Sequence, residues 1–162
     1  MAALTTLNSV LLERYGHEGR FCTARYGVLT PDAETFTVDL AGGGHPPTLI
    51  LRGTGDAEYL STPGGLLVGV LPEATFATAR TVLGPGDTLL LYTDGLTEAR
   101  TGEERRLFGQ ENLRDFAAGL APVEARSLVT ALTGPLNDFG DGLQDDTALL
   151  ALGVPGRPRS PA

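Results

Sequence analysis

Leu89-Leu90-Leu91-Tyr92-Thr93-Asp94-Gly95-Leu96-Thr97-Glu98-Ala99-Arg100 is an apolar run that ends on an acid followed by glycine. Leu89 to Tyr92 read as a strand buried on both faces, because consecutive bulky side chains leave no polar face for solvent. Gly84-Pro85-Gly86-Asp87 just before it is turn chemistry, with proline fixing φ and glycine free to take positive φ. Asp94 therefore stands at a strand end, where a rigid element can aim a carboxylate into a cleft. Gly95 lets the backbone turn and come close to whatever that carboxylate holds. Taken alone, an Asp-Gly after a strand is an ordinary turn.

A second acidic stretch changes that reading. Asp138-Phe139-Gly140-Asp141-Gly142-Leu143-Gln144-Asp145-Asp146 leads directly into the apolar run Thr147-Ala148-Leu149-Leu150. Adjacent carboxylates repel, and they ionise together only when exposed or neutralised by a cation. Hard divalent ions such as Mg²⁺ and Mn²⁺ prefer this all-oxygen chemistry. The spacing is not that of an EF-hand, since no D-x-[DN]-x-[DN]-G run is closed by a distant Glu. A solvated acidic turn is the alternative.

Composition narrows the classes. With 162 residues, 41% of them hydrophobic, the chain is long enough for one domain with one core. The formal charge of −8 and the lack of a dense basic patch argue against nucleic acid and against anionic membranes. No apolar run is long enough to span a bilayer, and the N-terminus lacks the basic region of a secretory signal, so cytoplasm is the expected location. Cys22 is the only cysteine. It excludes an intramolecular disulfide and reads as a small buried hydrophobe rather than a nucleophile.

The pattern along the chain is mixed α and β. Leu4, Leu7, Val10 and Leu11 predict a helix over 3–14, ended by Tyr15-Gly16. Strands are expected at 20–30 and 35–41 around a Thr30-Pro31-Asp32-Ala33 turn, then at Thr48 to Arg52, with weaker candidates at Tyr59-Leu60 and Thr75 to Leu83. Short consecutive strands with tight turns favour antiparallel pairing. Leu113, Phe116, Ala117 and Leu120 predict a helix over 110–120, and Pro122 is placed to open another, which Gly134-Pro135 should end or kink. Thr147 to Leu152 is the last strand. Residues 153–162, rich in Pro, Gly and Arg, are expected to form a disordered tail. Leu89, Leu91, Val28, Leu149 and Phe116 are the expected core, where helices cover the sheet.

Other chemistry finds little support. Gly42-Gly43-Gly44 could cradle a phosphate, but no P-loop pattern is present and Pro46-Pro47 forbids a following helix. His45 in a tight turn reads as structural rather than as a base or ligand, and His17 has no partner pattern. No G-x-S-x-G elbow supports a serine nucleophile.

Phe21-Cys22-Thr23-Ala24-Arg25-Tyr26-Gly27-Val28-Leu29, Gly44-His45-Pro46-Pro47, Gly64-Gly65-Leu66-Leu67-Val68-Gly69-Val70-Leu71-Pro72, Leu83-Gly84-Pro85-Gly86-Asp87, Tyr92-Thr93-Asp94-Gly95-Leu96-Thr97-Glu98-Ala99-Arg100, Phe108-Gly109 and Asp145-Asp146-Thr147-Ala148-Leu149-Leu150 follow one another in that order. This series resembles the SpoIIE-type, RsbU-like branch of the PPM metal-dependent serine/threonine protein phosphatases, over residues 7–152. The resemblance implies an α+β fold, a β-sandwich of antiparallel sheets flanked by helices, forming one domain over 1–152. It implies a Mn²⁺ or Mg²⁺ two-metal centre, with Asp94 and Asp145 as metal ligands and Gly95 and Asp146 as backbone or second-layer contributors. Catalysis would rest on a metal-activated water with no protein nucleophile. The implied substrate is a phosphorylated regulatory protein of the anti-anti-sigma type, giving a role in sigma factor control.

One departure matters. The family's N-terminal Gly-Asp…Asp motif and its Asp-x-x-Gly-x-Gly segment have no counterpart here, because Asp32, Asp39, Asp56 and Asp87 lie in no such pattern. The expectation is an N-terminally truncated domain with about half of the metal site. Uncovered sheet surface and unpaired edges would then favour association, as in a homodimer. The alternative function is a catalytically inactive, phosphatase-like binding module.

Overall fold

The computed structural model describes residues 2–63, 66–101, 106–138 and 145–156. The chain divides into two compact units.

The first unit is built on helix α1 (Ala2–Tyr15) and a three-stranded sheet, in the order β1 (Ala24–Asp32), β2 (Thr35–Gly43), β5 (Thr78–Leu83). The buried face of α1 is Leu4 and Asn8 with Leu11 packed beside them, whereas Leu7 and Val10 are exposed. The apolar periodicity missed this rotation because the anchor is polar. The Asn8 side-chain amide donates to Leu71 O at 2.9 Å and its carbonyl accepts from Gly69 N at 2.7 Å, so a buried amide is satisfied by a loop backbone. Cys22 pairs with Val68 through two 2.9 Å backbone bonds and packs half-buried on the core of Leu4, Ala41, Val68, Ala74 and Phe76. The glycine run serves packing rather than phosphate. A Cβ on Gly42 would lie 2.6 Å from Arg25 Nη1, and one on Gly43 would lie 2.6 Å from Val68 Cγ2. Arg25 instead holds the following turn, donating to Thr62 Oγ1 and to the carbonyls of His45 and Pro46.

Two expectations fail here. The β1–β2 turn falls at Ala33-Glu34, later than expected, with Ala33 at φ 50°. Val28 is 45% exposed rather than core. It lies on an edge strand whose residues from Tyr26 to Asp32 are all exposed, so apolar character alone misassigns it.

The second unit carries a four-stranded sheet in the order β4 (Ala57–Leu60), β3 (Thr48–Leu51), β6 (Thr88–Tyr92), β9 (Leu149–Gly153). Its helices are α2 (Asp94–Glu98), α3 (Gly109–Ala118) and α4 (Ala125–Asp138), and β7 (Arg100–Thr101) pairs with β8 (Arg106–Leu107). β6 is central and antiparallel to both neighbours, with Leu90 opposite Leu49 and Ala151, and Tyr92 opposite Leu149. Side chains alternate, so Leu49, Leu51, Leu90 and Tyr92 face one way. They meet Leu96 of α2, Leu113 and Ala117 of α3 and Leu128 and Leu132 of α4 in one core, with Phe116 and Leu149 packed at its margin. Ile50 and Leu89 are buried on the other face, as a strand buried on both sides requires. Leu91 is only half-buried, because its cross-strand partner Leu150 is exposed.

The proline reading also needs correction. α4 begins at Ala125, three residues after Pro122, and continues through Gly134-Pro135 to Asp138. A proline in the last turn removes one N–H, and the remaining turn still closes. The ordered chain extends past Leu152: Val154 is buried, its N–H donates to Asp87 O, and its carbonyl accepts from Gly86 N. Residues 157–162 of the expected tail lie outside the described residues.

Asp87 fixes the entry of β6. Its residue is 8% exposed, and its carboxylate accepts from Gly53 N at 2.7 Å, from Gly84 N at 3.0 Å and from Arg52 Nη1 at 2.8 Å. Burial pushes the Asp87 carboxyl up, but the two amides and the guanidinium outweigh it and hold it below its ordinary value of 3.8.

Two stability tests follow from this packing. Leu90→Ala should cost about 2–5 kcal/mol and Leu91→Ala less than about 1.5 kcal/mol, read from urea midpoints. Equal losses would contradict the half-buried setting of Leu91. Asp87→Asn should cost about 2–4 kcal/mol at neutral pH, since it leaves Arg52 without its buried partner. Because the folded pKa is depressed, this stability is present above the ordinary carboxylate pKa and is lost as pH falls through the folded value. The gap between wild type and variant should therefore narrow in acid. A gap that stays constant down to acid unfolding would rule the carboxylate out as its source.

Candidate metal centre

The site grows out of the end of β6. Beyond Tyr92, the ladder continues for one more residue: Thr93 N donates to Ala148 O at 3.1 Å. The Thr93 hydroxyl accepts from Ala148 N at 2.9 Å and donates to Asp146 O at 3.0 Å. It therefore does not cap α2, although Thr93 occupies the N-cap position in extended conformation. Its hydroxyl instead ties the Asp145-Asp146-Thr147 segment to the strand end.

Gly95 carries the closest approach. A Cβ there would lie 2.7 Å from Asp146 O, 2.9 Å from Thr147 Oγ1 and 3.0 Å from Asp145 O. Only a residue without a side chain lets this segment pass. Asp94, Gly95, Asp145 and Asp146 are thus gathered at one end of the four-stranded sheet. Asp94, Asp145 and Asp146 are exposed and Gly95 is buried. Asp145 Oδ1 accepts from Asp146 N at 2.8 Å, which fixes the orientation of its carboxylate.

A cavity of about 220 Å³ opens beside them, lined by Gly95, Glu98, Arg100, Leu107 and Asp145. Glu98 and Arg100 have no role in the sequence reading, although both fall in the quoted run. The signal for Glu98 was its spacing from Asp94, one helical turn along α2. Arg100 could be placed only once β7 was seen to pair with β8.

The donor set decides what the site can hold. Among the described residues no group of three or more His, Cys, Asp or Glu side chains is placed to hold a metal ion. Phe139 to Gln144, including Asp141, lie outside the described residues. Two exposed carboxylates fit one hydrated Mg²⁺ or Mn²⁺, which keeps most of its waters. They do not fit a two-metal centre, which needs bridging acids. The Thr147 hydroxyl, buried against Gly95, has no hydrogen-bond partner among the described residues, an unusual state for a polar group.

Gly95→Ala tests the arrangement. The new methyl meets backbone oxygens, which cannot swing aside, so the Asp145 segment must move. We expect a loss of roughly 1–3 kcal/mol in urea unfolding and weaker Mn²⁺ binding by calorimetry. Unchanged stability and Mn²⁺ affinity would show that the segment does not rest on Gly95.

Comparison with known proteins identifies the family. The family model described as Stage II sporulation protein E (SpoIIE) matches residues 1–155. Protein IcfG of Synechocystis sp. (strain ATCC 27184 / PCC 6803 / Kazusa) is 30% identical over 113 residues, covering 70% of this chain but 17% of IcfG. The chain thus spans about a sixth of that relative. Among solved structures, the RsbU and RsbW domains of Rv1364c from Mycobacterium tuberculosis are similar with a TM-score of 0.69 and 29% identity, over 94% of this chain and 42% of that one. The phosphatase domain of the cell fate determinant SpoIIE from Bacillus subtilis (Mn presoaked) gives a TM-score of 0.65 at 17% identity, over 98% of this chain and 68% of that one. Antiparallel sheets with packed helices, and a family match over nearly the whole chain, lead to one conclusion: the chain belongs to the SpoIIE family of PPM-type phosphatase domains, which are hydrolases.

Proposed function

We propose that this chain is a metal-dependent serine/threonine phosphatase domain acting on a phosphorylated regulatory protein, of the anti-anti-sigma type, in sigma factor control. The observation that carries the reading is the β6–β9 pairing, which brings Asp94 and Asp145 to one end of one sheet. Asp94 and Asp145 would hold a Mn²⁺ or Mg²⁺ ion, with Gly95 and Asp146 contributing backbone support. A divalent ion, when bound, supplies Lewis acidity and screens phosphoryl oxygens. Support for a regulatory phosphoprotein comes from Rv1364c, whose solved part joins an RsbU to an RsbW domain, and support for manganese from the Mn-soaked SpoIIE domain. On this reading the chain works in the cytoplasm, residues 1–152 form the phosphatase domain, and pairing into a homodimer covers exposed apolar surface. No helix among the described residues is long and apolar enough to cross a membrane.

A second reading is a binding module without turnover. The two-carboxylate donor set favours it, because nothing among the described residues supplies bridging acids for a second ion.

An activity assay separates the two. The 162-residue chain, assayed on a generic phosphomonoester with millimolar Mn²⁺, should run barely above background. Fusing an N-terminal segment that carries a Gly-Asp…Asp motif should bring Mn²⁺-dependent hydrolysis. Asp94→Asn in the fusion should remove it, by more than the roughly 10–100-fold typical of changes outside the first layer of ligands. A fusion that binds Mn²⁺ yet stays inactive favours the binding module. Robust Mn²⁺-dependent turnover by the short chain, lost in Asp94→Asn, would show that its own residues complete the centre.

A further inference from the structure

The cavity beside Asp145 is lined by a cation, Arg100, that is not one of the candidate metal ligands. We propose that Arg100 is the group that binds and orients the phosphoryl dianion of a phosphoserine or phosphothreonine side chain at this site, an inference that rests on the phosphatase reading above.

A phosphomonoester carries close to two negative charges at neutral pH. It must approach a cavity lined by Glu98 and Asp145, next to Asp94, on a chain of net charge −8. Like charges at these distances repel. Arg100 is the cation among the described residues lining the cavity, and its planar fork of donors matches phosphoryl oxygens two at a time.

Local structure then fixes where that fork can reach. Arg100 follows α2 directly, and Phe108 N donates to Ala99 O at 2.8 Å, which pins the start of β7. Arg100 pairs with Leu107 across the β7–β8 ladder. Paired residues share a face of a sheet, so Arg100 and Leu107 project together, and both line the cavity. Arg106, one position away, belongs to the opposite face and is exposed. Two arginines of one hairpin therefore differ in the single property that matters here.

The same geometry argues for a protein-bound phosphoryl group. Leu107 is 52% exposed beside Arg100, an apolar wall that inorganic phosphate cannot use but the methylene or methyl of a phosphorylated side chain can. At about 220 Å³ the cavity is below the 300–1,000 Å³ usual for drug-sized ligands. It suits one side chain reaching in from a polypeptide that remains outside.

The test is a binding measurement on the 162-residue chain with a short phosphoserine peptide in millimolar Mn²⁺, so that it does not depend on turnover. Arg100→Gln should weaken peptide binding about tenfold or more, the scale of a charged hydrogen-bonded contact, and Arg100→Lys should recover part of it. Arg106→Gln removes the same charge from the other face and should change binding less than about twofold. Thermal melting identifies any variant that fails to fold, in which case the Lys variant carries the comparison. Equal losses in Arg100→Gln and Arg106→Gln, no loss in Arg100→Gln, or no phosphopeptide binding by wild type while Mn²⁺ binds, would each overturn the proposal. Failure of the underlying reading is visible separately: Mn²⁺ affinity would then be the same in Asp94→Asn and Asp145→Asn as in wild type.

Discussion

The clamp at Asp87 sets the geometry on which the candidate site depends. Three donors converge on one carboxylate, two from backbone amides and one from Arg52. Arg52 is itself held on its other side by Glu58, at 2.6 and 2.8 Å. The clamp joins the turn before β6 to the turn after β3, so it fixes the register of the two strands at their shared end. In an antiparallel pair, a slip of one residue turns every side chain to the other face. Leu90 and Tyr92 would leave the core that α3 and α4 complete. The register set at Asp87 therefore decides, six residues further on, that the chain emerges from β6 at Thr93 and Asp94 rather than one position early or late.

The far end is built on a different principle. At Asp87 a side chain gathers backbone amides; at Gly95 the absence of a side chain lets backbone pass. The Thr93 hydroxyl mediates, accepting from one residue of the Asp146–Ala148 segment and donating to another. The two acidic residues are thus placed by main-chain geometry, and their side chains stay exposed. This division suits a binding site, because groups that must meet a ligand are not consumed in holding the fold.

Legibility in the sequence followed the same division. β6, α3 and the existence of α4 were readable because local periodicity reflects local constraints, whereas Asp94-Gly95, read as a turn, opens the short helix α2. Failures arose where a distant partner decided the outcome. Val28 is exposed because β1 is an edge strand, and strand order is not written in the strand. The inward face of α1 turns on Asn8, a polar residue that becomes a core anchor only when the Gly69–Leu71 backbone answers it. Val154 belongs to the ordered chain because Asp87 and Gly86 pair with it, although its neighbours read as a tail. For the site, Asp94 and Asp145 stood out as acids beside strands. Arg100 did not, since its place on the cavity wall with Asp145 depends on the β7–β8 hairpin.

Electrostatics ties the acids and the arginine together. Two carboxylates bind a divalent cation weakly, and Mg²⁺ sites of this poverty commonly draw remaining ligands from the phosphate oxygens of the substrate. Carboxylates without a cation repel a phosphoryl dianion, and Arg100 alone offsets only part of that repulsion. Cation and phosphoryl group should therefore each favour the binding of the other. Thermodynamic linkage requires the two effects to be the same factor. A site with few protein ligands would then respond to its substrate more sharply than a site already saturated with acids, because more of the cation's coordination is left for the phosphoryl oxygens to supply.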